Sequence, residues 1–144
     1  MTDALKALQR FYAAEAAYLA AGGPGKGDFS VMAAHLTPDV VMYQAPCLPY
    51  GGTWRGHDGM ERFMAVMSEM WSELTFREQH YAVDGAGLGH AVVAVRNDCV
   101  FRARATGREV DTSVLQWITV RDGLVSEFRP FYLDTSAVLA ALRE

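Results

Sequence analysis

Long apolar runs are missing from this chain. No stretch of 18 or more apolar residues occurs, so no membrane-spanning helix and no membrane partner are expected. An excess of positive charge is missing too: 13 Lys and Arg stand against 17 Asp and Glu, a formal net charge of −4. That argues against a nucleic-acid partner, whose binders carry a basic stripe. Cysteine is scarce. Cys47 and Cys99 fit neither a zinc pattern nor a redox Cys-x-x-Cys, and they read as reduced thiols of a cytoplasmic protein. The opening residues MTDALKALQRF lack the charged and apolar regions of a signal peptide. No Gly-x-Ser-x-Gly elbow is present, and no histidine pair has metal-ligand spacing. Neither a metal nor a cofactor is therefore expected.

What is present suits one globular domain over residues 1–144: 51% hydrophobic, 21% charged, mean hydropathy +0.02. Leu5, Leu8, Tyr12, Ala16 and Leu19 recur at helical spacing, which predicts a helix over 3–21. The segment GGPGKGD, 22–28, stops it. A short helix over 29–36 and a short strand over 40–45 follow. A third helix is predicted over 58–72, capped by Asp58, with Met60, Phe63, Met64, Met67 and Trp71 on one face. After Trp71 the period changes to two. Strands are predicted at 74–83, 89–104, 109–120 and 124–133, joined by DGAGLG, ATGR and RDG turns. A last helix, 135–143, is capped by Asp134 or Thr135. This order predicts an α+β domain, with helices on one side of a curved antiparallel sheet.

Alternation assigns the strand faces. Val93, Val95, Asn97, Cys99 and Phe101 share one face of their strand; Arg96, Asp98, Arg102 and Arg104 share the other. A turn centred on Thr106–Gly107 pairs 97 with 116 and 99 with 114, and sets Arg102 by Asp111 and Arg104 by Glu109. Asn97 and Gln116 are then neighbours on an apolar face. Either they satisfy each other and the backbone, or they hold a ligand oxygen. A three-residue RDG turn pairs Val120 with Leu124 and puts Ser126, Phe128, Pro130 and Tyr132 on the Gln116 face. Val100, Leu115, Trp117 and Phe131 make an apolar patch on the opposite face, from which a homodimer is expected.

Two titratable groups stand out. Glu15 falls at 8-11-15-18 spacing beside the inward stripe of the first helix. Burial would raise its pKa and prepare it for acid–base work; the alternative is a stripe-edge Glu reaching water. His80 shares a face with Phe76 and Glu78. It is either a second acid–base group or an exposed, hydrogen-bonded histidine. His35, His57 and His90 lie at element ends. The Gly-rich stretch PYGGTWRGHDG, 49–59, lacks the Lys-Ser/Thr of a phosphate loop. Leu48, Pro49, Tyr50 and Trp54 are candidate pocket-rim residues, although Trp54 could instead pack the loop onto the sheet.

The segments LTPDVVMYQAP, PYGGTWRGHDGMERF, TGREVDTSVLQWITVRDG and VSEFRPFYLDT resemble SnoaL-like proteins of the nuclear transport factor 2-like superfamily. The resemblance implies a cone: a curved sheet wrapped by three N-terminal helices around a deep apolar pocket. It spans ketosteroid isomerases, polyketide cyclases, epoxide hydrolases, dehydratases and non-catalytic binders. Carried over residue by residue, the isomerase base falls on Ala45 and is absent. The isomerase tyrosine donor falls near Glu15, Tyr12 or Tyr18, and the acidic donor on Gln116. His80 is the one loose match to the cyclase acid and base. The resulting expectation is a small hydrophobic ligand, with Glu15, Gln116 and His80 as catalytic groups. Asn97 assists Gln116, and Tyr43, Trp54, Phe63, Met67, Trp71, Phe101, Phe128 and Tyr132 line the pocket. The alternative is a binding or assembly module without chemistry.

Overall fold

The computed structural model describes residues 3–85 and 90–143. The turn expected at DGAGLG lies largely outside them. The elements run α1 (Asp3–Ala20), α2 (Ser30–Ala33), β1 (Leu36–Gln44), β2 (Gly52–Arg55), α3 (Gly56–Met70), β3 (Trp71–Asp84), β4 (His90–Ala103), β5 (Glu109–Arg121), β6 (Leu124–Tyr132) and α4 (Thr135–Leu142). One curved six-stranded sheet has the order β2-β1-β6-β5-β4-β3. Among the described residues, no helix is long and apolar enough to cross a membrane.

Several expectations need correction. The helices are not three N-terminal ones: α1 is the main N-terminal helix, α2 is a single turn, and α3 follows two strands. The sheet is not wholly antiparallel, because β1 runs parallel to β6, with Met42 beside Phe128. β2 was hidden in the Gly-rich loop, where only Thr53 and Trp54 carry a strand preference. α3 begins two residues before Asp58, which lies in its first turn rather than capping it. Asp134 does cap α4, accepting the Ala137 N–H at 2.9 Å.

The inner sheet face and α1 share the core. α1 buries Ala4, Ala7, Leu8, Phe11, Ala14 and Tyr18, the three- and four-residue spacing of one helix face. β4 buries every second residue from Ala91 to Ala103. The β4–β5 register differs from the expected one by two residues: Asn97 pairs with Val114, Cys99 with Thr112, Arg102 with Glu109. An even shift leaves the faces unchanged. The turn sits earlier in the chain, and α4 holds its tip. Thr106 Oγ1 donates to Ala141 O at 2.7 Å, and Arg108 donates to the Ala140 and Arg143 carbonyls at 3.0 and 2.7 Å. The charge pairs shift accordingly. Arg102 meets Glu109 and Glu73, Asp111 meets Arg77, and Arg104 donates to the Ser68 carbonyl at 2.9 Å instead of reaching Glu109.

The RDG turn has two residues rather than three. Arg121 pairs with Leu124, and Asp122 and Gly123 both take positive φ, 52° and 79°. That is the geometry whose twist matches flanking strands. A bulge between Thr119 and Val120 shifts the register, so Phe128, Pro130 and Tyr132 still share the Gln116 face. The outer face leaves Leu115, Trp117 and Phe131 exposed at 40%, 43% and 57%.

Candidate functional site

Between the helices and the inner sheet face lies a cavity of about 370 Å3. α1 contributes Phe11, Tyr12 and Glu15; α3 contributes Met60, Phe63, Met64 and Met67. Trp71, Phe76, Asn97 and Phe101 come from β3 and β4. Val114, Gln116, Phe128, Pro130 and Tyr132 come from β5 and β6. Most of these surfaces are apolar, and the rings stack against each other. Trp71 and Phe101 are 5.0 Å apart, Phe11 and Phe128 5.3 Å.

Four polar groups in this lining lack hydrogen-bond partners among the described residues: Glu15, Tyr12, Gln116 Oε1 and the Trp71 indole Nε1. Glu15 keeps some solvent contact, yet it makes no hydrogen bond or ion pair among the described residues. Burial by surrounding protein pushes its carboxyl up to about 7. One turn earlier, the buried Tyr12 hydroxyl is also unpartnered. Burial raises its pKa above the ordinary tyrosine value, and the nearby Glu15 and Tyr81 add to the rise. Across the cavity, Gln116 Oε1 is buried and unpartnered. Such groups carry a desolvation cost that a ligand's complementary atoms would offset.

Tyr132 and Asn97, by contrast, have protein partners. Tyr132 donates to Gln44 Oε1 at 2.8 Å and lies 3.3 Å from the Tyr50 hydroxyl. Burial, then the neighbouring Tyr50, raise the Tyr132 pKa. Asn97 accepts from Gln79 Nε2 at 2.7 Å and donates to Val114 O at 3.4 Å. Asn97 and Gln116 therefore do not satisfy each other.

The cavity brings together Tyr12, Glu15, Phe63, Met67, Trp71, Asn97, Phe101, Gln116, Phe128 and Tyr132. Seven expected residues lie elsewhere. Of the rim candidates, Leu48 is buried in the core and Pro49 is exposed, and neither lines the cavity. Tyr18 is buried against Phe29, with ring centroids 5.6 Å apart. Tyr43 faces the other side of the sheet, with the Arg129 guanidinium 4.2 Å from its ring centroid. Tyr50 is fully buried behind the cavity wall, edge-on to Phe63. Trp54 packs its loop: Nε1 donates to Tyr50 O at 3.0 Å, and its ring meets Phe63 at 5.5 Å.

His80 is the seventh. A bulge between Phe76 and Glu78 makes Phe76 oppose Cys99 and Glu78 oppose Asp98. The extra residue, Arg77, reverses the alternation. Phe76 faces the cavity, whereas Glu78 and His80 turn outward and Gln79 and Tyr81 turn inward. His80 Nε2 lies 3.2 Å from Glu78 Oε1 on the exposed face. There Glu78, His80 and Asp98 bring three potential ligand atoms within 4.8 Å of one another. Asp98, however, already holds Ser113 at 2.7 Å and Arg96 at 3.3 Å.

Sequence reasoning missed Gln44, Gln79 and Tyr81. The signal for the last two was the run Arg77–Glu78, successive charged residues that break the alternation. Gln44 carried a signal as well, as the polar end of an apolar strand.

No curated protein matches the sequence. Among solved structures, a nuclear transport factor 2-like protein from Burkholderia xenovorans LB400 superposes with a TM-score of 0.78 at 23% identity, covering 99% of this chain and 98% of that one. TerC, co-crystallised with polyporic acid, gives 0.75 at 18% identity, covering 99% and 100%. A SnoaL-like polyketide cyclase candidate from Jannaschia sp. CCS1 gives 0.65 at 22%, covering 97% and 91%. At these identities the likeness speaks for the fold alone. A sequence model of the SnoaL-like domain matches residues 8–128, most of the chain, and the protein therefore belongs to the SnoaL-like domain family.

Proposed function

We propose that the protein binds a small, hydrophobic, oxygen-bearing molecule of polyketide or terpenoid type in this cavity. It acts on that molecule by cofactor-independent acid–base chemistry: isomerisation, cyclisation or hydration. The observation that carries this reading is Glu15, an unpartnered carboxyl in an apolar cavity whose pKa is pushed up to about 7. A group that titrates near the working pH can both take and return a proton. Gln116, free of protein partners, holds the substrate oxygen. Tyr12 sits beside Glu15 as a neutral donor. His80 has no role, because it faces away from the cavity.

Two comparisons agree with this reading: one similar structure is a polyketide cyclase candidate, and another was crystallised with polyporic acid. The filled cone of a pure assembly module does not suit a cavity of about 370 Å3, which is on the scale of ligand sites. A binding module with the same pocket and no chemistry is separated by experiment. Polyporic acid and a panel of polyketide-like ketones are incubated with the protein, and products are analysed. Turnover is expected in the wild type and lost in Glu15→Gln, with binding retained. Binding without turnover of any compound would leave the protein a carrier.

The same reading includes a homodimer through the exposed Leu115, Trp117 and Phe131 face, and a reducing, cytoplasmic setting in keeping with two free thiols.

A further inference from the structure

Tyr81 and Gln79, which the acid–base reading leaves without a role, form a chain with Asn97. Its polarity can be worked out from one end. The Val114 carbonyl only accepts, so Asn97 turns Nδ2 toward it, at 3.4 Å. Asn97 Oδ1 then faces Gln79, which must present Nε2, at 2.7 Å. Gln79 Oε1 is left for Tyr81, whose hydroxyl donates at 3.0 Å. Each orientation follows from the one before it, beginning at the Val114 carbonyl. Asn97 is 1% exposed and lines the cavity. Its oxygen is used, and the second N–H of its Nδ2 has no partner among the described residues. Gln116 has no such chain and is free to rotate to suit either a donor or an acceptor.

We propose that the Tyr81–Gln79–Asn97–Val114 chain locks Asn97 as a hydrogen-bond donor toward the cavity, so the site selects a ring-sized ligand that presents a carbonyl-type oxygen to Asn97. Gln79 and Tyr81 are positioning residues, brought inward by the bulge at Arg77. This inference rests on the cavity being a ligand site. It goes further by assigning the polarity of the ligand atom and the residues that enforce it.

The test compares two probes of the same skeleton, 1-tetralone and tetralin, by calorimetric titration at pH 8. The wild type should bind the ketone about tenfold more tightly than the hydrocarbon, the scale of one good hydrogen bond in a dry site. Gln79→Glu replaces the donor by an acceptor and turns the Asn97 amide over. The ratio should then fall to about one, with tetralin affinity unchanged. Tyr81→Phe removes the bond that steadies Gln79 against Asn97 and should lower the ratio a few-fold. The Asn97 side-chain amide resonances should shift in both variants. A ketone preference that is absent in the wild type, or unchanged in both folded variants, overturns the inference. If neither probe binds the wild type at millimolar concentration, the cavity reading itself fails. Should Gln79→Glu not fold by circular dichroism, Tyr81→Phe decides.

Discussion

Glu15 ties stability to pH as well as chemistry. Its carboxyl titrates near 7 in the folded chain, against an ordinary value of 4.5. Between those two values the folded state holds a proton that the unfolded state has released. Stability contributed by the neutral carboxyl is therefore present at pH 4 and lost as pH rises toward 7. Glu15→Gln removes the charge and keeps the shape. Urea unfolding should find this variant ~1–3 kcal/mol more stable than wild type at pH 8, the figure being discounted because Glu15 keeps some solvent contact. At pH 4.5 the two should nearly coincide. If turnover is found, its rate should rise or fall through an apparent pKa near 7. A flat profile would remove Glu15 from the chemistry.

Turns and irregularities decide how the elements are aimed. Gly51 lies where an added Cβ would come within 2.3 Å of Ala45 O and 2.8 Å of Pro46 O. Both are backbone atoms with little room to give. Gly51→Ala should cost ~2–3 kcal/mol in denaturant unfolding and loosen the Tyr50–Trp54 packing at the cavity wall. Gly123→Val places a β-branched residue at φ 79° in a two-residue turn. A loss of ~1–2 kcal/mol is expected, with cavity probes binding as before.

The elements also show what the sequence could and could not say. Helix spacing in α1 placed Glu15 and Tyr12 beside the inward stripe, and alternation in β4 and β5 placed Asn97 and Gln116 on one face. These patterns survive register errors of two residues, because a strand face repeats every two. They do not survive an insertion of one. The bulge at Arg77 moved His80 outward and brought Gln79 and Tyr81 inward. Tyr18, Tyr50 and Trp54 were misassigned for another reason: an apolar pattern marks burial, and does not distinguish core from cavity wall. The parallel β1–β6 pairing joins residues far apart in the chain and leaves no local signature.

At the scale of the whole molecule, the outer sheet face is the feature left uncovered. If the proposed homodimer forms there, Trp117→Arg should convert it to monomer in light scattering after size exclusion. The melting temperature should become independent of protein concentration, and 1-tetralone binding in the cavity should persist. A wild type that is monomeric at high concentration would end the proposal.

The parallel pairing of β1 with β6 bears on how the molecule is made. During synthesis, α1 to α3 and the β1–β2 hairpin emerge before the rest of the sheet, since the second strand that receives β1 is the last of the six. α3 can pack on β1 and β2 at once, but the free edge of β1 stays exposed until nearly the whole chain is available. Non-local closure of this kind is slow and leaves sticky intermediates. Nascent chains truncated before Leu124 should therefore remain protease-sensitive on the ribosome, and full-length chains should become resistant in a single late step.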